Sequence, residues 1–138
     1  MAQIAANPYV LRDVSLKIAA DNYEKAVSAV AFTPTTASVS WQGGTPDASF
    51  TMAGATTWVC TITFAQDWDT AGSLSNLLFD SDGQTKAIEF RPVAGGVGMK
   101  ADVILVPGAM GGTIGATGEA SVTLGVRGKP VRLTKVTA

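Results

Sequence analysis

The stretch Thr57-Trp58-Val59-Cys60-Thr61-Ile62-Thr63-Phe64 decides the fold class. Trp58, Cys60, Ile62 and Phe64 alternate with Thr57, Val59, Thr61 and Thr63. A period of two sends successive side chains to opposite faces of an extended chain. β-branched and aromatic residues dominate, as pleated, half-buried surfaces favour. The pattern predicts a strand with one face in a core and one Thr-rich face outside it.

Similar alternation recurs on both sides. In residues 11–18, Val14, Leu16 and Ile18 alternate with Asp13, Ser15 and Lys17. Asp21-Asn22 is a turn signal, and residues 23–33 predict a second strand, stopped by Pro34. Residues 35–54 predict a hairpin or a solvated loop: 38–42 outward, Gly43-Gly44-Thr45-Pro46-Asp47 as the turn, 48–53 back, with Trp41 near the tip. Downstream, Leu74, Leu77 and Leu78 sit at helical spacing. Ser73 is the N-cap candidate and Gly83 the stop. A helix of about two turns is too short to stand alone in water, so it is expected to lie on the sheet through those leucines and Phe79. Strands resume at 86–91, 99–106 and 119–127, separated by Gly-rich connections at 92–98 and 107–118. After Lys129-Pro130 the alternation continues through Val131, Leu133 and Val136.

About seven or eight short strands, with turn signals about every 8–12 residues, predict a mainly β domain. Its expected form is a β-sandwich or open barrel with one short flanking α-helix, near 73–80. The expected layout is an N-terminal arm at 1–8, a body at 9–128 bearing the 35–54 arm, and a C-terminal extension at 129–138.

The 138 residues make one domain's worth of chain. Hydrophobic residues are 46% and charged residues 15%, against about 25% charged in an average globular protein. Ten Lys and Arg against eleven Asp and Glu leave a net charge of −1. That balance argues against nucleic-acid binding through a basic face and opposes self-association only weakly. There is no signal-peptide pattern and no apolar run of about 18 residues. The expectation is a soluble protein made in a reducing cytoplasm, with no membrane partner.

Catalytic chemistry finds little support. The chain has no His, which removes the commonest general base and metal ligand. Cys60, the single cysteine, falls on the apolar face of the best strand and reads as a buried thiol. Asp80-Ser81-Asp82-Gly83 resembles the start of a calcium loop, but Arg91 stands at the twelfth position, where a bidentate Glu is needed. Asp67 and Asp69 read as turn formers. The Gly-rich loops lead into strands, not into the helix a phosphate cradle requires. No catalytic, metal or cofactor site is expected.

One longer arrangement resembles a known family. Thr57 through Gln66-Asp67-Trp68 leads into the Ser73-Leu74-Ser75-Asn76-Leu77-Leu78 helix. Residues 86–92 and Gly95-Gly96 follow. Val106-Pro107-Gly108-Ala109-Met110-Gly111-Gly112 precedes the last strand, and Gly128-Lys129-Pro130-Val131-Arg132 ends the block. This order, over about 57–132, resembles the major tail tube proteins of long-tailed, siphovirus-type bacteriophages, particularly those of actinobacteria. The order of the block carries the resemblance, not any single motif, and residues 1–54 match only in layout. The resemblance implies a non-enzymatic virion subunit, assembled in the host bacterial cytoplasm. Six copies close into a ring whose sheets line a channel, and rings stack into a tube through arms and loops. The tube encloses a tape-measure protein, meets tail terminator and distal tail proteins at its ends, and later passes DNA without holding it.

On that reading the lumen-facing acids are expected among Asp13, Glu24, Glu89 and Asp102, all in predicted strands, with Lys17 on the face of Asp13 and Arg91 on that of Glu89. Contacts between subunits are expected from three segments: 1–8 with Ile4 and Pro8, 35–54 with Trp41 and Pro46, and 129–138 with Pro130, Val131 and Leu133. Trp68 joins them as a candidate anchor. Two other classes compete. One is a different virion protein, a capsid decoration or head–tail connector, told apart by assembly geometry. The other is a carbohydrate-binding module using Trp41 and Trp68, which would be a monomer with sugar-dependent Trp fluorescence.

Overall fold

A computed structural model describes residues 2–135. Seven strands, β1 (Ser15–Ile18), β2 (Asp21–Asn22), β3 (Val27–Gln42), β4 (Ser49–Ala65), β5 (Thr85–Arg91), β6 (Gly98–Ile104) and β7 (Glu119–Leu133), form one antiparallel sheet in the order β2-β1-β5-β6-β7-β4-β3. One helix, α1 (Leu74–Asp80), joins β4 to β5.

The register aligns the apolar faces. Cys60, Ile62 and Phe64 on β4 stand opposite Leu124, Val122 and Ala120 on β7. On the other side, Phe32 and Val30 of β3 meet Cys60 and Ile62. Ile18 of β1 faces Ile88 of β5. These side chains form one core, with Cys60, Ile62, Phe64, Leu124 and Ile88 fully buried. A flat sheet would leave that face wet, and a seven-residue helix cannot cover seven strands. The sheet therefore curls, so that Val30 and Phe32 of β3 share a cleft with Phe90 of β5 and Met99 of β6. The result is the open-barrel form of the expected mainly β fold, with Leu74 and Leu78 of α1 set into the core.

Local chemistry fixes the ends of α1. The Ser73 hydroxyl accepts from Asn76 N–H (3.4 Å). The Ser81 N–H donates to Leu77 O (2.9 Å), closing the helix two residues before the expected Gly83. Gly83 instead takes φ +81° and donates to Leu105 O, a conformation suited to glycine. Phe79, expected against the sheet, is 62% exposed because the buried stripe runs through Leu74 and Leu78.

Several boundaries differ from expectation. β3 runs straight through Pro34, paired opposite Trp58. It is an edge strand, where a missing N–H disturbs no second neighbour. β1 begins at Ser15, not at residue 11, because its partner β5 ends at Arg91 before Pro92, which has no N–H to extend the ladder. Asp13 therefore lies in a bend, and Lys17 does not share a strand face with it. Glu24 sits in a turn closed by Ala26 N–H donating to Tyr23 O (3.0 Å). Both acids are thus off the strands expected to carry them. β7 continues past the expected boundary at 128. Its register against β6 shifts between the Asp102–Arg127 and Lys100–Val131 pairs, with Gly128 at φ +79° beside the bulge. Lys129 through Leu133 are therefore strand, and Pro130 is buried. Val136, with the end of the expected extension, lies outside the described residues, as does Met1.

Candidate assembly interface

Beyond Thr33 and Val59, β3 and β4 pair only with each other, since β7 leaves β4 at Gly125. The two strands go on as a long hairpin exposed on both faces. The register puts Val39 opposite Met52 and Trp41 opposite Phe50. All four point to one face, and each is more than half exposed. The Trp41 and Phe50 rings stack with centroids 5.8 Å apart. The other face carries Ser40 against Thr51 (3.3 Å) and Gln42 against Ser49. The tip is held by Gln42 Nε2 donating to Thr45 O (2.9 Å), with Pro46 exposed in the turn.

The hairpin is almost without charge. Between Lys25 and Asp67 the only charged residue is Asp47. The outer edge of β3 therefore offers a long row of backbone groups interrupted by Pro34 and by register shifts at Val27/Ala29 and Thr36/Ser38. Edge strands that avoid pairing are usually short, charged or bulged outward. The opposite edge fits that description, with four-residue β1 and two-residue β2 carrying Lys17 and Asp21.

The outer face of the sheet divides in two. Across β1, β5 and β6, Glu89 stands between Lys17 and Lys100, with the Lys100 Nζ 4.0 Å from its carboxylate. Asp102 stands opposite Arg127 of β7. Each acid therefore has a cation beside it, and this half is not an acidic stripe. Across β3, β4 and β7 the rows are Ala29-Thr63-Ser121, Ala31-Thr61-Thr123 and Thr33-Val59-Gly125. That half is small, hydroxyl-rich and uncharged, with Thr63 Oγ1 and Ser121 Oγ 2.6 Å apart.

The other expected contact residues scatter. Ile4 (86% exposed) and Pro8 lie in an N-terminal segment without regular structure. Val131 is exposed on β7, while Leu133 lines a cleft of about 680 Å³ with Tyr9, Leu11, Phe32, Phe90 and Met99. Arg91 ties that region together, its Nη1 donating to Gly96 O and to Thr134 O (2.9 Å). Trp68 is half-buried against Phe79, ring centroids 6.1 Å apart, and its buried Nε1 has no hydrogen-bond partner among the described residues. It follows the end of β4 opposite the hairpin tip, so Trp41 and Trp68 do not share a surface. Val39, Phe50 and Met52 lie outside the expected contact residues; their signal in the sequence is two apolar residues spaced two apart on each side of the 43–48 turn.

Among the described residues no three His, Cys, Asp or Glu side chains converge as a metal site, and no helix is long and apolar enough to cross a membrane. Burial pushes the Cys60 thiol up to about 12, far from a reactive thiolate. Hydrogen bonds from Thr70 hold the Asp67 carboxyl below its usual range. No protein-family model matches the sequence, and no curated protein matches it.

Proposed function

We propose that this chain is a non-enzymatic structural subunit that works as a repeating homo-oligomer, namely the tail tube subunit of a long-tailed bacteriophage. The observation that carries the reading is the β3–β4 hairpin. It is long, uncharged but for Asp47, apolar on one face and bordered by a long strand edge without charged residues. A free monomer with such an edge risks indiscriminate pairing. Closing copies into a ring, with each β3 edge laid against the next copy, would cover that edge. The resemblance over 57–132 supplies the phage identity and the six-membered ring.

The outer face fits the lining of a channel. A conduit for DNA must not hold it, and phosphate binding needs an excess of cations. Glu89 and Asp102 offset two of the three cations beside them, Lys17, Lys100 and Arg127, and the three rows from Ala29 to Thr33 across β3, β4 and β7 carry no charge. On this reading Glu89 and Asp102 face the lumen, the tape-measure protein fills it during assembly, and terminator and distal tail proteins close its ends. The site of action is the virion tail.

Negative-stain microscopy of the purified, concentrated protein tests the reading. Hollow tubes of stacked rings with sixfold end views are expected. Discrete trimers or single rings that never stack would overturn it in favour of a decoration or connector protein.

A further inference from the structure

The two ends of the sheet carry different uncovered apolar surfaces. One end bears the hairpin face of Val39, Trp41, Phe50 and Met52. β7 runs antiparallel to β4, with Glu119 opposite Ala65, so the 107–118 loop that feeds β7 lies at the other end. There Ile114 is 98% exposed and Met110 75%. Ile114 sits in a turn closed by Ala116 N–H donating to Thr113 O (3.2 Å). Such turns favour Gly, Pro, Asn, Asp and Ser, and an isoleucine there contributes nothing to an isolated chain.

The loop is nevertheless held in place. Gly108 lies against the Phe64 ring, so closely that a Cβ would come 2.8 Å from it. Gln66 grips both backbone groups of Gly111, accepting from its N–H (2.9 Å) and donating to its carbonyl (2.7 Å). Met110 and Ile114 are thus presented on a fixed support. No charged residue occurs between Asp102 and Glu119, so this surface matches the hairpin in polarity.

The two surfaces of one copy cannot meet. From Ala29, opposite Thr63, to Trp41, β3 climbs about 40 Å at about 3.3 Å per residue. We propose that the apolar hairpin face of one copy seats on Met110 and Ile114 of the next copy, joining copies head to tail along the strand direction. The partner is a second copy because the chain carries both halves of the contact. A foreign partner at either end would leave the other apolar surface in water. Such a contact joins unlike surfaces, so it propagates instead of closing as a two-fold dimer. The inference rests on the tube reading and assigns its contact between successive rings.

Cysteine cross-linking tests it. Met52→Cys and Ile114→Cys are both at exposed positions, and Cys60 can be retained because it is fully buried. The variants are concentrated separately and as an equal mixture, oxidised mildly, and run on denaturing gels beside micrographs of the same samples. A disulfide-linked dimer is expected from the mixture and from neither variant alone. The double variant should give a ladder. Tubes without the mixed cross-link, or a Met52→Cys variant linked to itself, overturn the inference and leave the tube reading intact. A ladder from open chains that never form tubes sustains the contact and overturns the tube reading. A monomer with no cross-link overturns both.

Discussion

Replacing Trp41 with alanine separates assembly from folding. The Trp41 side chain is 58% exposed in the single copy. A tryptophan buries about 150–250 Å² when fully covered, so about 90–145 Å² is left for a partner to cover. At about 25 cal/mol per Å² this area contributes about 2.3–3.5 kcal/mol to each contact. That converts to a contact about 40- to 300-fold weaker, at tenfold per 1.4 kcal/mol. The cost to folding is smaller. The substitution removes the Trp41–Phe50 stack, worth about 0.5–1.5 kcal/mol, and the hairpin tip can open without exposing the core. The assay is light scattering against protein concentration, with a denaturant melt of the same samples. The onset of assembly should move up by at least an order of magnitude while the melt stays cooperative and close to its original midpoint. Assembly at the original concentration would refute the role of the hairpin face, as would assembly lost only together with the fold.

Three further substitutions probe the body. Gly98→Ala places a Cβ 2.3 Å from the Phe90 carbonyl oxygen, and should lower stability by about 1–3 kcal/mol or more in a denaturant melt; an unchanged midpoint would show that β5 and β6 have room to part there. Gln66→Ala removes the amide that holds Gly111 and Glu119, a local loss of about 1–3 kcal/mol, and amide exchange at Gly111 should accelerate; unchanged exchange would mean that the loop is fixed by something else. The exposed Asp67 carboxyl is held below its usual range by the Thr70 side chain and N–H and by the Asp69 N–H, the two amides at 3.1 Å each. Its contribution is therefore complete above the unfolded value of about 3.9 and is lost as pH falls through the lower folded value. The Thr70 amide shift should titrate with a midpoint below about 3.9, and Asp67→Asn should abolish the step.

What the sequence made legible follows from how strongly each segment couples to the core. The alternation of Trp58, Cys60, Ile62 and Phe64 located β4 because a one-residue slip would turn all four outward. The Leu74, Leu77 and Leu78 spacing and Ser73 located α1 within a residue. The hairpin was harder to read. Both its faces are in water, so burial imposes no period on most of it, and Pro34 looked like a stop when an edge strand tolerates it. Asp13 lies off its expected strand because alternation around it persists although the ladder does not, β5 ending before Pro92, and Glu24 because the chain turns there before the β3 ladder starts at Val27. The boundary at Gly128 looked like the end of a domain, whereas the glycine sits beside a bulge in a strand that continues. Ile114 carried no pattern at all. It stands alone among small residues, and only its exposure in the folded chain marks it.

Sedimentation velocity over a range of concentrations is the decisive measurement. The chain is expected to leave the monomer boundary as concentration rises and pass into large, polydisperse species, and Trp41→Ala to hold it back. One compact monomer at every concentration would rule out a subunit that works only among copies of itself.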